Sequence, residues 1–119
     1  MARIRIQRLE KELLRILSST INYKLRDKYL KFVTLTEIKL SNDMSHAKIY
    51  YSHLDQYPDE KIQQALTKST GFLKKEIAYT KLMRVIPELS FRYDKVEEQA
   101  RNIDEIFDRI KSENHKKEN

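Results

Sequence analysis

Cysteine is absent from this 119-residue chain, and glycine occurs once, at Gly71. Without cysteine there is neither a disulfide nor a thiolate metal site. A single glycine cannot build GxxxxGK or GxGxxG, which excludes the glycine-rich loops that cradle nucleotide phosphates. No apolar run approaches the roughly 18 residues of a membrane span or the shorter core of a secretion signal, so a soluble, cytoplasmic protein without a membrane partner is expected. No serine or cysteine nucleophile motif is present. His46, His53 and His115 are too scattered to suggest a metal cluster. The acidic pairs Asp59-Glu60 and Glu97-Glu98 fall at predicted helix starts, where the helix dipole already accounts for them. The expectation is a protein that is not an enzyme and uses no cofactor or metal.

Charge is what the chain has in quantity: 35% of residues are charged and 39% hydrophobic, enough for one domain with a modest core. The net charge of +6 is unevenly spread, because the first 93 residues carry 18 basic and 10 acidic side chains, while the stretch from Asp94 onward carries 6 and 8. A folded basic surface attracts polyanions, and with no small-molecule phosphate motif in view, nucleic acid is the better guess than a metabolite. Plain solubility is the bland alternative.

Ile6, Leu9, Leu13, Leu17 and Ile21 recur at three and four residues and predict one long helix from 3 to about 26. Arg8, Lys11 and Arg15 form a basic stripe on another face, which by itself reads as solvated surface. Phe32 to Leu40 and Ala47 to Leu54 predict a hairpin around the polar turn Ser41-Asn42-Asp43-Met44-Ser45. In its second strand Ala47, Ile49 and Tyr51 form the packing face, and Lys48, Tyr50 and Ser52 the open one. Pro58-Asp59-Glu60 opens a second helix. Its core face, Ile62, Leu66, Ser69, Leu73 and Ile77, runs straight through Gly71. Pro87 stops the helix, and Leu89, Phe91 and Tyr93 alternate as a third strand. Ala100, Ile103, Phe107 and Ile110 predict a last helix before a charged tail.

Gly71 sits where glycine is costly. Inside a helix it is worth about 1 kcal/mol less than alanine, so a chain this sparing with glycine is expected to need it, either for a kink or for close approach of another backbone. Around it, from Lys68 to Arg84, five bases face the single acid Glu76; Arg15 to Lys31 matches that charge but lacks the break.

The predicted order is helix, strand, strand, helix, kink, helix, strand: an α+β sandwich with a three-stranded sheet and an added C-terminal helix. At this point the residues resemble the ribosome-binding factor A family, whose domain is a type II KH-like fold. Leu82-Met83-Arg84-Val85-Ile86-Pro87-Glu88-Leu89-Ser90-Phe91-Arg92-Tyr93-Asp94 looks like that family's third-strand signature of arginine, Pro-Glu-Leu, phenylalanine and aspartate. Arg26-Asp27 with Phe32-Val33-Thr34-Leu35-Thr36 looks like its passage into the first strand, and Ala47-Lys48-Ile49-Tyr50-Tyr51 like its second strand. Ser69-Thr70-Gly71 stands where the family carries Ala-x-Gly and ordinary KH domains carry Gly-x-x-Gly. Ser69 replaces the family's alanine, and the final helix carries no motif that matches.

The resemblance implies a KH-like RNA-binding domain over 1–94, followed here by a helix at 95–111 and a disordered tail at 112–119. It further implies an assembly factor, acting as a monomer, that binds small-subunit rRNA and free 30S subunits. Such a factor assists late 16S rRNA maturation, including 5′-end processing, without catalysis. Expected RNA contacts are Lys68, Ser69, Thr70, Gly71, Lys74 and Lys75, extended by Lys81, Arg84 and Arg92 and joined by Arg3, Arg5 and Arg8. The alternatives are a protein-interaction adaptor docking through its first or final helix, and a general single-stranded RNA-binding KH module.

Overall fold

A computed structural model describes residues 2–54 and 57–94, and within them the predicted order of elements is present. The predicted helix at 95–111 and tail at 112–119 lie outside the described residues. Helix α1 spans Ala2–Ser19, with Leu13, Ile16 and Leu17 buried and Ile6 and Leu9 partly buried against the same core. Its end differs from the regular helix expected to 26: Thr20–Lys24 form a π turn. The Thr20 hydroxyl donates to the Ile16 carbonyl at 2.8 Å, and the Leu25 amide reaches back five residues to the Thr20 carbonyl at 3.0 Å. A hydroxyl that takes the carbonyl four residues back competes with the backbone ladder, and the turn widens. Thr20 and Ile21 are both buried as a result. A short 3₁₀ turn, Lys28–Leu30, then leads to the sheet, with the Asp27 carboxylate accepting the Tyr29 amide at 2.9 Å.

Strand β1, Val33–Leu40, pairs antiparallel with β2, His46–His53, and β3, Glu88–Tyr93, pairs parallel with β2, giving a mixed sheet of order β1-β2-β3. A bulge between Leu35 and Glu37 lets both Leu35 and Ile38 face the core despite their odd spacing. Ala47, Ile49 and Tyr51 face inward as expected. Ser52, expected on the open face with Lys48 and Tyr50, is buried instead, because a small side chain on the central strand is shielded by its neighbours on both sides.

The hairpin turn is held by Asp43. Its carboxylate accepts the Ser41 and Ser45 hydroxyls, each at 2.7 Å, and the Ser45 amide at 3.0 Å. These hydrogen bonds, led by that of Ser45, hold the Asp43 carboxyl down at about 2, against an ordinary value of 3.8. A folded-state pKa below the unfolded one contributes stability that is present above about 3.8 and lost as pH falls toward 2. Asp43→Asn is therefore expected to flatten the acid limb of the stability curve in that window, as followed by thermal unfolding against pH.

Helix α2, Asp59–Lys68, and helix α3, Thr70–Thr80, complete the layer over the sheet, burying Ile62, Ala65, Leu66, Leu73 and Ile77. The fully buried Tyr51 pins α2 to the sheet: its hydroxyl donates to Asp59 Oδ1 at 2.6 Å and accepts from Gln63 Nε2 at 2.9 Å. The same Gln63 nitrogen donates to the Phe91 carbonyl of β3 at 2.9 Å. Burial and the bond to Asp59 push the Tyr51 hydroxyl well above the ordinary tyrosine value, so it stays a donor.

Candidate nucleic-acid interface

The break between α2 and α3 falls at Ser69, not at Gly71. Ser69 has φ −85° and ψ −4°, off the helical mean, while Gly71 lies inside the first turn of α3 and is not among the residues with positive φ. The hydroxyls supply the cause. Ser69 Oγ donates to the Ala65 carbonyl at 2.9 Å and Thr70 Oγ1 to the Leu66 carbonyl at 3.3 Å, while the Ser69 amide is shared between those two carbonyls at 3.1 Å each. Two consecutive back-bonding hydroxyls bend a helix without any glycine. The expectation that Gly71 makes the kink is corrected accordingly, and the Ser69 and Thr70 hydroxyls, expected as RNA contacts, are turned inward to the end of α2.

Gly71 has another use. A Cβ placed on it would meet nothing within 4 Å, so none of the described residues requires the glycine. The position is exposed, and its bare backbone faces outward. Lys68 precedes it by three residues and Lys75 follows it by four, both exposed, so the two ammonium groups flank a strip of uncovered main chain. Among the described residues neither lysine has a carboxylate partner.

The other expected contacts divide. Lys74 turns to the opposite flank of α3 and pairs with Glu88, at the start of β3, at 2.9 Å; that contact holds the Glu88 carboxyl below its usual range. Lys81 and Arg84 are exposed at the far end of α3, Lys81 as a left-handed cap with φ 57°. An eleven-residue helix puts Lys81 roughly 16 Å from the break. Arg92 is exposed on β3, alternating with the buried Phe91, and so lies on the sheet face away from the helices, where Tyr50 is its register partner. Arg5 and Arg8 are exposed on α1, roughly 24 Å or more along its axis from Lys24, the residue that ties α1 to α3. Arg3 is in the same helix, and its side chain is outside the described residues. The structure thus sets Lys68, Gly71 and Lys75 along one exposed line and places Arg92 on the other face of the sheet.

Sequence reasoning passed over Lys24. Its ammonium reaches Glu76 Oε2 at 2.7 Å, joining the end of α1 to α3 and occupying the single acid of the basic segment. The two basic stretches that looked separate in the sequence meet here. A groove between α1 and β1, lined by Gln7, Glu10, Lys11, Leu14, Thr36, Glu37 and Ile38, is the wrong kind of surface for a polyanion. It carries two carboxylates, one of which, Glu10, caps the Leu40 amide at 2.8 Å. Of the histidines, His53 is buried, stacked on Tyr51 and 3.3 Å from Asp59, and His46 bonds Ser45 in the hairpin turn.

Comparison with known proteins converges on one family. The family model described as Ribosome-binding factor A matches residues 5–107. A Francisella philomiragia protein named Ribosome-binding factor A is 41% identical over 76% of this chain, a match spanning 64% of that relative, less than two thirds of its length. A Staphylococcus epidermidis protein of the same name is 35% identical over 92% of this chain and 96% of its own. The crystal structure of ribosome-binding factor A from Thermus thermophilus superposes with a TM-score of 0.68 at 28% identity, covering 74% of this chain and 93% of that one. A homology model of the Thermus thermophilus protein has also been fitted into a cryo-EM map of its complex with 30S, and those coordinates superpose at 0.62 with the same identity and coverage.

Proposed function

Because the chain belongs to the ribosome-binding factor A family, we propose that it is a ribosome-associated factor. It binds free 30S subunits and assists late 16S rRNA maturation, including processing of the 5′ end, without catalysing a reaction. The observation that carries the reading is the line Lys68, Gly71, Lys75. Bare main chain between two exposed lysines is a surface that a phosphate backbone approaches without collision, and it positions RNA rather than reading its sequence. The break at Ser69 presents this strip by turning the start of α3 away from the axis of α2. The relative fitted into a 30S complex supports the choice of partner. On this reading 1–94 is the RNA-binding unit.

The test is sedimentation of the purified full chain with free 30S subunits, 50S subunits and 70S ribosomes. Association with free 30S, weakened steeply by salt, is expected. Salt-insensitive association with an RNA-free protein complex would instead favour an adaptor. In cells depleted of the protein, precursor 16S rRNA with an unprocessed 5′ end should accumulate.

A further inference from the structure

Three large aromatic side chains stand exposed among the described residues: Tyr23 at 84%, Tyr79 at 88% and Phe72 at 41%. All three stand at one junction. Phe72, Glu76 and Tyr79 follow one another at four and three residues along a single flank of α3, and Glu76 is held by Lys24, the neighbour of Tyr23, at 2.7 Å. The core side of α3 is at Leu73 and Ile77, so neither Phe72 nor Tyr79 belongs to it. Phe72 and Tyr79 are about 10 Å apart along the helix, about three nucleotides at the 3.4 Å spacing of a strand. The π turn makes the junction possible: the extra residue that Thr20 admits ends the helix with Lys24 toward α3 and Tyr23 outward.

Exposed aromatic rings among lysines form a surface with one natural complement. A single-stranded nucleic acid offers flat faces for the rings and phosphates for Lys68 and Lys75, while a duplex keeps its bases stacked on each other. We infer that Tyr23, Phe72 and Tyr79 form a stacking platform for unpaired bases of RNA, adjoining the lysine-flanked backbone at Gly71. This rests on the reading of the chain as an RNA-binding factor and adds to it a base-dependent subsite: the lysines take the backbone, and the aromatics require that the strand be unpaired. The platform gives the factor a way to sense whether a stretch of precursor rRNA is still single-stranded.

The test uses the full chain and two probes of equal length, an oligoadenylate and its abasic counterpart. Wild-type protein should bind the oligoadenylate more tightly than the abasic strand. Tyr23→Ala with Tyr79→Ala should lose about tenfold or more on the oligoadenylate and little on the abasic strand. Phenylalanine at both positions should retain binding, because the ring and not the hydroxyl stacks. The thermal midpoint of every variant should stay put, since both side chains project into solvent.

Unchanged affinity in the double alanine variant, or an equal loss on both probes, overturns the platform. A loss on whole 30S subunits with none on either probe or on deproteinised 16S rRNA also overturns it, because the rings then contact protein. A Lys68→Ala, Lys75→Ala variant run beside these keeps the two readings apart. If it loses binding while the tyrosine variant does not, the platform falls and the RNA-binding reading stands. If wild-type protein binds neither probe, rRNA nor subunits, both fall.

Discussion

Gly71→Ala is expected to stabilise the folded domain by up to about 1 kcal/mol, while Leu73→Ala, two residues further along the same helix, is expected to destabilise it by about 2–5 kcal/mol. The opposite signs follow from where the two side chains go. An alanine methyl at 71 meets no atom of the described residues within 4 Å, so the substitution removes the extra backbone freedom that glycine has in the unfolded state. Leu73 is completely buried, packed in the core that α3 shares with the sheet, and truncating it leaves a cavity that the surrounding helices only partly close. Chemical denaturation of the two variants reads both effects with one assay. If Gly71→Ala lowered the midpoint, the glycine would be serving the fold after all. If Gly71→Ala raises the midpoint and weakens binding to 30S subunits, the glycine is retained for what approaches it from outside.

That contrast marks how far the sequence could be read. Within the described residues the order of elements and their core faces were legible, because apolar spacing of three and four on the helices and two on the strands is imposed by burial itself. A break near residues 69 to 71 was legible too, but not its hinge. The cause is a pair of hydroxyls donating backward to the Ala65 and Leu66 carbonyls, and a serine in a sequence does not announce where its proton points. The same chemistry at Thr20 produced the π turn where a plain helix was expected.

The site was less legible than the fold, since each surface side chain depends on partners distant in the chain. Lys74 and Lys75 are neighbours of one kind in the sequence, but Lys74 meets Glu88 at the start of β3, and Lys24 meets Glu76 from another helix. Arg92 is a different case. Alternation with Phe91 already puts it on the outer sheet face, away from the lysines of α2 and α3. Tyr79 also left a trace, as an aromatic off the face that Leu73 and Ile77 define.

Reversing charge at Lys68 and Lys75 together, with glutamate at both, is expected to weaken binding to small-subunit RNA by more than about tenfold at 0.15 M salt while leaving the thermal midpoint nearly unchanged. Each phosphate contact on a single strand contributes about 0.7 to the slope of log affinity against log salt, so losing two flattens that slope by about 1.4. At this salt concentration the released counterions alone account for about a fourfold change per contact, and repulsion between carboxylate and phosphate adds to it. The fold tolerates the change because both side chains are exposed and, among the described residues, hold no carboxylate, and exposed charges contribute little to stability. Lys74 is the internal control. Its ammonium is held by Glu88, so Lys74→Ala removes a charge already partly neutralised, and a smaller loss with a smaller change of slope is expected. Equal losses at Lys74 and Lys75 would mean that the Glu88 pair opens on binding and that the RNA wraps α3 on both flanks. No loss at Lys68 and Lys75, beside a loss when Arg92 and Lys48 are replaced, would move the RNA to the outer face of the sheet.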